Sequence, residues 1–195
     1  MGKHRPGVRT NGGADEAPAI DTPTKPEIEI DGAGPADERP DLGPAARRVA
    51  LAVPPGLMAD APEAVKAMLR HDGVVAVLDG YNVSMTEWPD RTVADQRDAL
   101  VSLVAEVALR TRASMTIVFD GADVGHVPVP RRPGVRVVFS SPGEKADPVI
   151  VREVASLALT TPVLVVSSDR WVQSRVRQEG AHALESRAFL GAFRH

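Results

Sequence analysis

The chain contains no cysteine among its 195 residues. This absence excludes disulfide bonds and cysteine-based zinc sites, and it is typical of proteins in a reducing compartment. Long apolar runs are also missing, since none approaches the roughly 18–20 residues that are needed to cross a bilayer. The N-terminus lacks the apolar segment of a secretory signal. We therefore expect a cytoplasmic protein without a membrane partner.

An excess of positive charge is lacking too, because the formal net charge is −3. Residues 1–45 hold five Lys/Arg and nine Asp/Glu, which leaves 18 and 17 for residues 46–195. The near-neutral remainder excludes a globally basic nucleic-acid binder. Any contact with RNA would therefore depend on local basic patches.

Residues 1–45 contain no aromatic residue, but they hold seven of the 17 prolines and seven of the 16 glycines. Such a segment cannot bury enough apolar surface to offset the entropy of ordering it, so its composition predicts a disordered acidic tail. Residues 46–71 are expected to form a lead-in arm, either extended or briefly helical, followed by a helix. Residues 72–195 are expected to form the folded domain.

Short apolar runs alternate with segments of helical periodicity along this domain. Strands are predicted at residues 74–78, 115–119, 135–139, 162–166 and 181–184. Helices are predicted at residues 62–70, from the cap Thr92 to about 110, from Asp147 onward, at 170–178 and from the cap Ser186 to 193. A loop is expected between the first strand and residue 90. The alternation favours an α/β fold, a three-layer α/β/α arrangement with a mostly parallel sheet of about five strands.

Three of the predicted strands lead into an aspartate, namely Asp79, Asp120 and Asp169. A fourth acid, Asp147, precedes Pro148 and is expected to cap the helix that begins there. Ligands of parallel α/β sheets bind outside the carboxyl ends of the strands, where these four side chains would meet. Each acid taken alone is equally well explained by a turn or a helix cap. Neither explanation requires all four acids to lie at the same edge of the sheet.

Four carboxylates at one edge repel one another, and a bound cation would offset that repulsion. Oxygen ligands suit Mg²⁺ or Mn²⁺. Such an ion can ionise a water molecule and stabilise a phosphodiester under attack. The pattern therefore predicts metal-assisted phosphodiester hydrolysis with Asp79, Asp120, Asp147 and Asp169 as the catalytic acids.

Several short motifs resemble, in order, those of one known family. They lie at residues 77–83, 118–121, 137–140, 146–147, 165–170 and 180–181. They resemble the NYN domain of YacP-like proteins, which belong to the PIN-like nuclease superfamily, and the resemblance extends over about residues 46–195. It implies a metal-dependent ribonuclease in which Asp79, Asp147 and Asp169 bind the metal and Asn82 contacts substrate. Many relatives carry a second acid where this chain has Pro148, so one carboxylate is missing here.

Candidate RNA contacts are one aromatic and four basic residues: Tyr81, Arg131, Arg132, Lys145 and Arg170. Arginine and lysine beside a metal site can hold the phosphodiester, and a tyrosine ring can stack on a base. An ordinary solvated surface is the alternative interpretation of the basic residues.

Three functions remain open at this point. The first is an endoribonuclease that uses Mg²⁺ or Mn²⁺, and the second is an RNA- or ribosome-binding module with a degraded site. The second is favoured by Pro148 and by the near-neutral domain. The third is a phosphotransfer domain, which is disfavoured because no second acid stands two residues after Asp79 and no suitably placed lysine follows a late strand.

Overall fold

The computed structural model describes residues 47–121 and 131–194, which form alternating strands and helices. The strands are β1 (Val75–Asp79), β2 (Ser114–Phe119), β3 (Val135–Phe139), β4 (Val163–Val166) and β5 (His182–Leu184). The helices are α1 (Pro62–Leu69), α2 (Gly80–Glu87), α3 (Val93–Thr111), α4 (Ala146–Ser156), α5 (Arg170–Gln178) and α6 (Ser186–Phe193). The predicted tail at residues 1–45 and most of the predicted loop at 122–134 lie outside the described residues.

The five strands form one sheet in the order β3-β2-β1-β4-β5, and every pair is parallel. The register aligns Asp79 with Val118 and Leu78 with Val166, so β1, β2 and β4 end at nearly the same level. The predicted α/β fold with a five-stranded parallel sheet is therefore confirmed.

Helices cover both faces of the sheet, as a parallel sheet requires. One core contains alternate strand residues such as Leu78, Ile117 and Val166 and packs against α1, α2, α3 and α6. The other contains the intervening residues, including Val77, Val118 and Val165, and packs against α4 and α5. This alternation follows from the two-residue period of a strand, and it completes the predicted three layers.

The segment after β1 is a helix, α2, and the prediction of a loop there was wrong. Asp79 caps α2, since its carboxylate accepts a hydrogen bond from the backbone N–H of Asn82. Gly80 allows the tight entry, because a Cβ atom at this position would lie 2.3 Å from the ring of Phe119. The helix has only eight residues and few apolar ones, so its periodicity is too weak to be read from sequence.

Two predicted helix starts are also corrected. Helix α4 begins at Ala146 with Lys145 in the capping position, so Asp147 lies within the first turn instead of preceding it. Helix α6 begins at Ser186 after Glu185, so Ser186 is its first residue and not its cap. Both side chains are thereby free for contacts outside their own helix.

Residues 47–53 adopt no helix and run as an extended arm, which decides between the two predicted forms. Arg48 on this arm is buried, and its guanidinium directs all five of its N–H groups at backbone carbonyls. Distances range from 2.8 to 3.3 Å, and the acceptors are the carbonyl oxygens of Val154, Leu157, Ala158, Thr161 and Glu179. We call this arrangement the Arg48 clamp. It satisfies carbonyls at the C-terminal ends of α4 and α5, where a positive charge is favoured.

No helix within residues 47–121 and 131–194 combines the length and the hydropathy that a membrane span requires.

Replacing Arg48 should destabilise the fold strongly. Arg48→Met keeps the apolar stem but removes all five donors, and the free energy of unfolding should fall by about 3 kcal/mol or more. Urea denaturation measures this loss. The matched control is Arg47→Met at the exposed neighbouring position, which should change stability little. Equal stability of the two variants would show that the clamp contributes nothing.

Candidate active site

Strand parity directs two of the four acids toward the same face of the sheet. Asp79 follows Val77 by two residues, and Asp120 follows Val118 by two residues. Val77 and Val118 both belong to the core beneath α4 and α5. Asp79 and Asp120 therefore emerge on the side where the first turns of α4 and α5 lie.

The site lies at a topological switch point of the sheet. Strand β1 pairs with β2 on one side and with β4 on the other, so the connections diverge from its carboxyl end. A crevice forms at such points and commonly holds the ligand in open α/β sheets. Asp79 at the end of β1 and Asp169 beyond β4 lie at this switch point.

The carboxylate of Asp79 is only 6% exposed and is fixed by two hydrogen bonds. Its Oδ1 accepts from the N–H of Asn82 at 3.2 Å, and its Oδ2 accepts from the hydroxyl of Ser167 at 2.9 Å. Burial raises the pKa of Asp79 from an ordinary 3.8 to about 6, although these two hydrogen bonds lower it. The negative charges of Asp147 and Asp169 make smaller contributions to the same increase.

Asp169 caps α5, because its Oδ1 accepts from the N–H of Val172 at 3.0 Å. This confirms the helix-cap interpretation, and it does not exclude a role for the second carboxylate oxygen. The N–H of Asp169 donates to the hydroxyl of Ser167 at 3.1 Å, and that hydroxyl donates to Asp79. Ser167 thus links the two acids through one hydroxyl group.

Asp147 lies on the first turn of α4 and responds to the same charges. Burial raises its pKa, the charge of Asp169 raises it further, Lys145 lowers it, and Asp120 raises it. Asp120 is held beside β3, where its Oδ1 lies 3.1 Å from the hydroxyl of Ser140. All four predicted acids therefore meet at one edge.

The donor set fits a hard cation, because its ligands are carboxylate oxygens whose negative charge is only partly offset by Lys145. Within the described ranges, no group of three or more histidine, aspartate or glutamate side chains lies close enough to form a ready-made metal cage. Mg²⁺ commonly binds through one or two carboxylates and retains several waters. A cation at this edge would therefore keep several waters instead of sitting in a closed carboxylate cage.

Asn82 joins three elements of the site. Its side-chain oxygen accepts from the N–H of Ser168 at 2.9 Å and from the hydroxyl of Ser186 at 2.6 Å. With this oxygen engaged by two donors, the orientation of the amide is fixed and its NH₂ group is the end left to contact a ligand. Asn82 is thus suited to donate to substrate rather than to bind a cation.

The other predicted substrate contacts separate into two groups. Lys145 and Arg170 flank Asp147 and Asp169 at the starts of α4 and α5. Arg131 and Arg132 precede β3, so they lie at the edge where the strands begin, about 16 Å from the acids for a five-residue strand. Their predicted contact with the phosphodiester stays a prediction.

Tyr81 lies in the first turn of α2, and its ring is tilted against that of Phe119 with 5.0 Å between centroids. Packing accounts for part of this half-buried side chain. Its predicted stacking on a base remains a prediction.

Sequence reasoning missed the hydroxyl groups that hold the acids. The hydroxyl groups of Ser167, Ser140 and Ser186 contact Asp79, Asp120 and Asn82, respectively. Ser167 could have been identified from the strand register, since it lies level with Asp79 once β1 and β4 are aligned.

The geometry can be compared with known proteins at this point. Residues 76–195 match the family model of the YacP-like NYN domain. The chain belongs to the YacP-like NYN domain family. No curated protein matches it.

The fold is similar to that of Rae1 (YacP) from Bacillus subtilis. That crystal structure is 26% identical, has a TM-score of 0.53, and matches over 60% of this chain and 71% of the Rae1 chain. A mutant of the same protein gives a TM-score of 0.50 at 26% identity, over 60% of this chain and 72% of the other. The predicted resemblance and the PIN-like fold are confirmed, and the family places this chain among nuclease-like, RNA-related domains.

The raised pKa of Asp79 predicts a pH-dependent stability. Between about pH 4 and pH 6, the folded chain retains a proton on Asp79 that the unfolded chain releases. The free energy of unfolding should therefore fall as the pH rises through this window. Above about pH 6 the loss of unfolding free energy should reach its full value of about 3 kcal/mol.

Asp79→Asn should remove this dependence, because asparagine carries no charge at any pH. Urea denaturation in EDTA across pH 4 to 7.5 should show the variant gaining stability relative to the unmodified chain as the pH rises. The control is Asp72→Asn at an exposed position before β1, which should give a curve parallel to the unmodified one. A constant difference between Asp79→Asn and the unmodified chain would contradict the prediction.

Proposed function

We propose that this protein is a metal-dependent endoribonuclease that hydrolyses RNA phosphodiester bonds. The observation that carries the proposal is the electrostatic coupling of Asp79, Asp147 and Asp169 at the carboxyl edge of the sheet. Folding brings these acids together at a cost in stability, and a bound cation would reverse that cost. The nuclease-like family supports the same reaction class.

In this proposal Mg²⁺ or Mn²⁺ binds among Asp79, Asp147 and Asp169, directly to one or two of these carboxylates and through its waters to the rest. When bound, the ion supplies Lewis-acid stabilisation of the phosphoryl oxygens and lowers the pKa of a bound water molecule. Asp79 is already aligned by Ser167 and Asn82, so little ordering is required when the ligand arrives.

The remaining residues would bind and orient the RNA. Lys145 and Arg170 stand beside the acids and can donate to the non-bridging phosphate oxygens. The NH₂ group of Asn82 can donate to the same phosphodiester. Asp120, held near Ser140, would assist by accepting a proton or by fixing a water molecule.

Removing the central acid should abolish cleavage. Asp79→Asn should reduce RNA cleavage by at least about 100-fold in Mn²⁺ or Mg²⁺, because an amide is a weaker ligand for a hard cation and carries no charge. The readout is the rate of product formation from a labelled single-stranded RNA. Asp72→Asn makes the same chemical change at the opposite edge and should retain the unmodified rate.

Two results would contradict the proposed nuclease activity. One is an unmodified protein that cleaves no RNA with either metal. The other is a rate that is equal in Asp79→Asn and Asp72→Asn, since a contaminating nuclease would produce that pattern.

A second candidate is an RNA- or ribosome-binding module with the same fold and little activity. Two points favour it: the described acids form no group of three that could hold a metal, and this chain has Pro148 where the family resemblance implies a second acid. In that case Lys145, Arg170 and Asn82 would still contact RNA, and the acids would bind no ion.

Calorimetry separates the two candidates. Titration with Mn²⁺ at pH 7.5 should show binding to the unmodified chain and to Asp72→Asn, and strongly reduced binding to Asp79→Asn. The affinity should fall as the pH is lowered through about 6, because protons compete with the metal for Asp79. Retained RNA affinity without any Mn²⁺ binding would instead support the binding module.

A further inference from the structure

Helix α5 presents a positively charged surface that begins at the acids. Its nine residues include Arg170, Arg175 and Arg177 and no aspartate or glutamate. Its N-terminal cap is Asp169, one of the proposed metal ligands. A polyanion bound at the acid edge could therefore continue along α5 without meeting a like charge from the helix itself.

An exposed tryptophan lies on the first turn of this helix. Trp171 is 47% exposed and stands two residues after Asp169. In the described part of the chain it contributes to neither hydrophobic core. Its position is therefore not explained by packing of the domain.

The exposed indole is oriented by a neighbouring arginine. The guanidinium of Arg175, one turn further along α5, lies 5.5 Å from the centroid of the Trp171 ring. This cation–π contact places a positive charge beside a flat aromatic surface, which is the pair of features that binds single-stranded nucleic acid. Arg177 is held on the same helix by its bond to Gln173 at 3.2 Å.

The other tryptophan provides an internal comparison. Trp88 also has an arginine over its ring, with Arg91 at 5.2 Å, but it is half-buried and packs against the larger core. The two tryptophan–arginine pairs thus differ in their surroundings: Trp88 packs against the larger core, whereas the Trp171 ring contacts Arg175 and belongs to neither core.

We propose that Trp171 stacks on an unpaired base of the RNA and holds the strand against α5 beside the acids. This inference rests on the proposed function for the identity of the ligand, and it adds that the ligand is single-stranded at this point. A base inside a duplex is covered by its neighbours and cannot offer its face to an indole. Arg170 and Arg175 would contact the flanking phosphates.

Fluorescence tests the stacking directly, because the chain contains only two tryptophans. Trp88→Phe leaves Trp171 as the sole tryptophan, and Trp171→Phe leaves Trp88. Both variants are titrated with a short oligouridylate in EDTA, where metal-dependent cleavage is absent. We expect strong quenching of Trp171 and little change in Trp88. A duplex of the same length should quench Trp171 far less.

Binding and cleavage then show whether the contact matters. Trp171→Ala should weaken oligouridylate binding about ten-fold, whereas Trp171→Phe should retain most of the affinity because phenylalanine can also stack. In Mn²⁺ the same alanine variant should raise KM by a similar factor and leave kcat nearly unchanged. Circular dichroism checks that Trp171→Ala is folded.

The outcomes separate this inference from the proposed function. If the protein cleaves RNA but Trp171 is not quenched and Trp171→Ala binds normally, the stacking role is overturned and the nuclease stands. If oligouridylate quenches Trp171 but no metal supports cleavage, the nuclease is overturned and the stacking role stands. Equal quenching by single-stranded and duplex RNA would also overturn the stacking role.

Discussion

The burial of one carboxylate at the end of the central strand is the constraint on which the site depends. Asp79 is nearly inaccessible to water, and its ionised form is disfavoured both by that burial and by Asp147 and Asp169. The fold compensates in part with two hydrogen bonds, one from the start of α2 and one from Ser167. Because these donors come from different segments, the strand end, the first helical turn and the loop after β4 are held in one arrangement. A cation would supply the compensation that is still missing.

Much of the fold could be predicted from the sequence because buried parallel strands are short, apolar and bounded by turn residues. All five predicted strands exist, and three of them lead into aspartates at the same edge of the sheet. Helix α2 was missed because its formation depends on a cap from Asp79 and on close packing of Gly80 against Phe119, which local periodicity does not reveal. Arg131 and Arg132 were predicted to contact RNA because they are basic residues in the loop expected at 122–134. They precede a strand, however, and residues that precede a strand lie across the sheet from those that follow it.

Only some residues of the candidate site could be predicted from a single sequence. Acids at strand ends could be predicted because the strand itself determines their position. The hydroxyl groups of Ser140, Ser167 and Ser186 could not, since each acts on a residue at least 20 positions away. The same reasoning explains why Trp171 escaped attention: its significance comes from exposure and from Arg175 over its ring, and neither can be read without the packing of α5.

The Arg48 clamp has a consequence for the acids at the far end of the molecule. Asp147 and Asp169 lie at the N-terminal ends of helices α4 and α5. The Arg48 guanidinium bonds to carbonyls at the C-terminal ends of both helices, so it opposes displacement of one helix relative to the other. This arginine lies outside the region matched by the family model, which begins at residue 76. The part of the chain that holds α4 and α5 together is therefore longer than the matched region, because it includes the N-terminal arm.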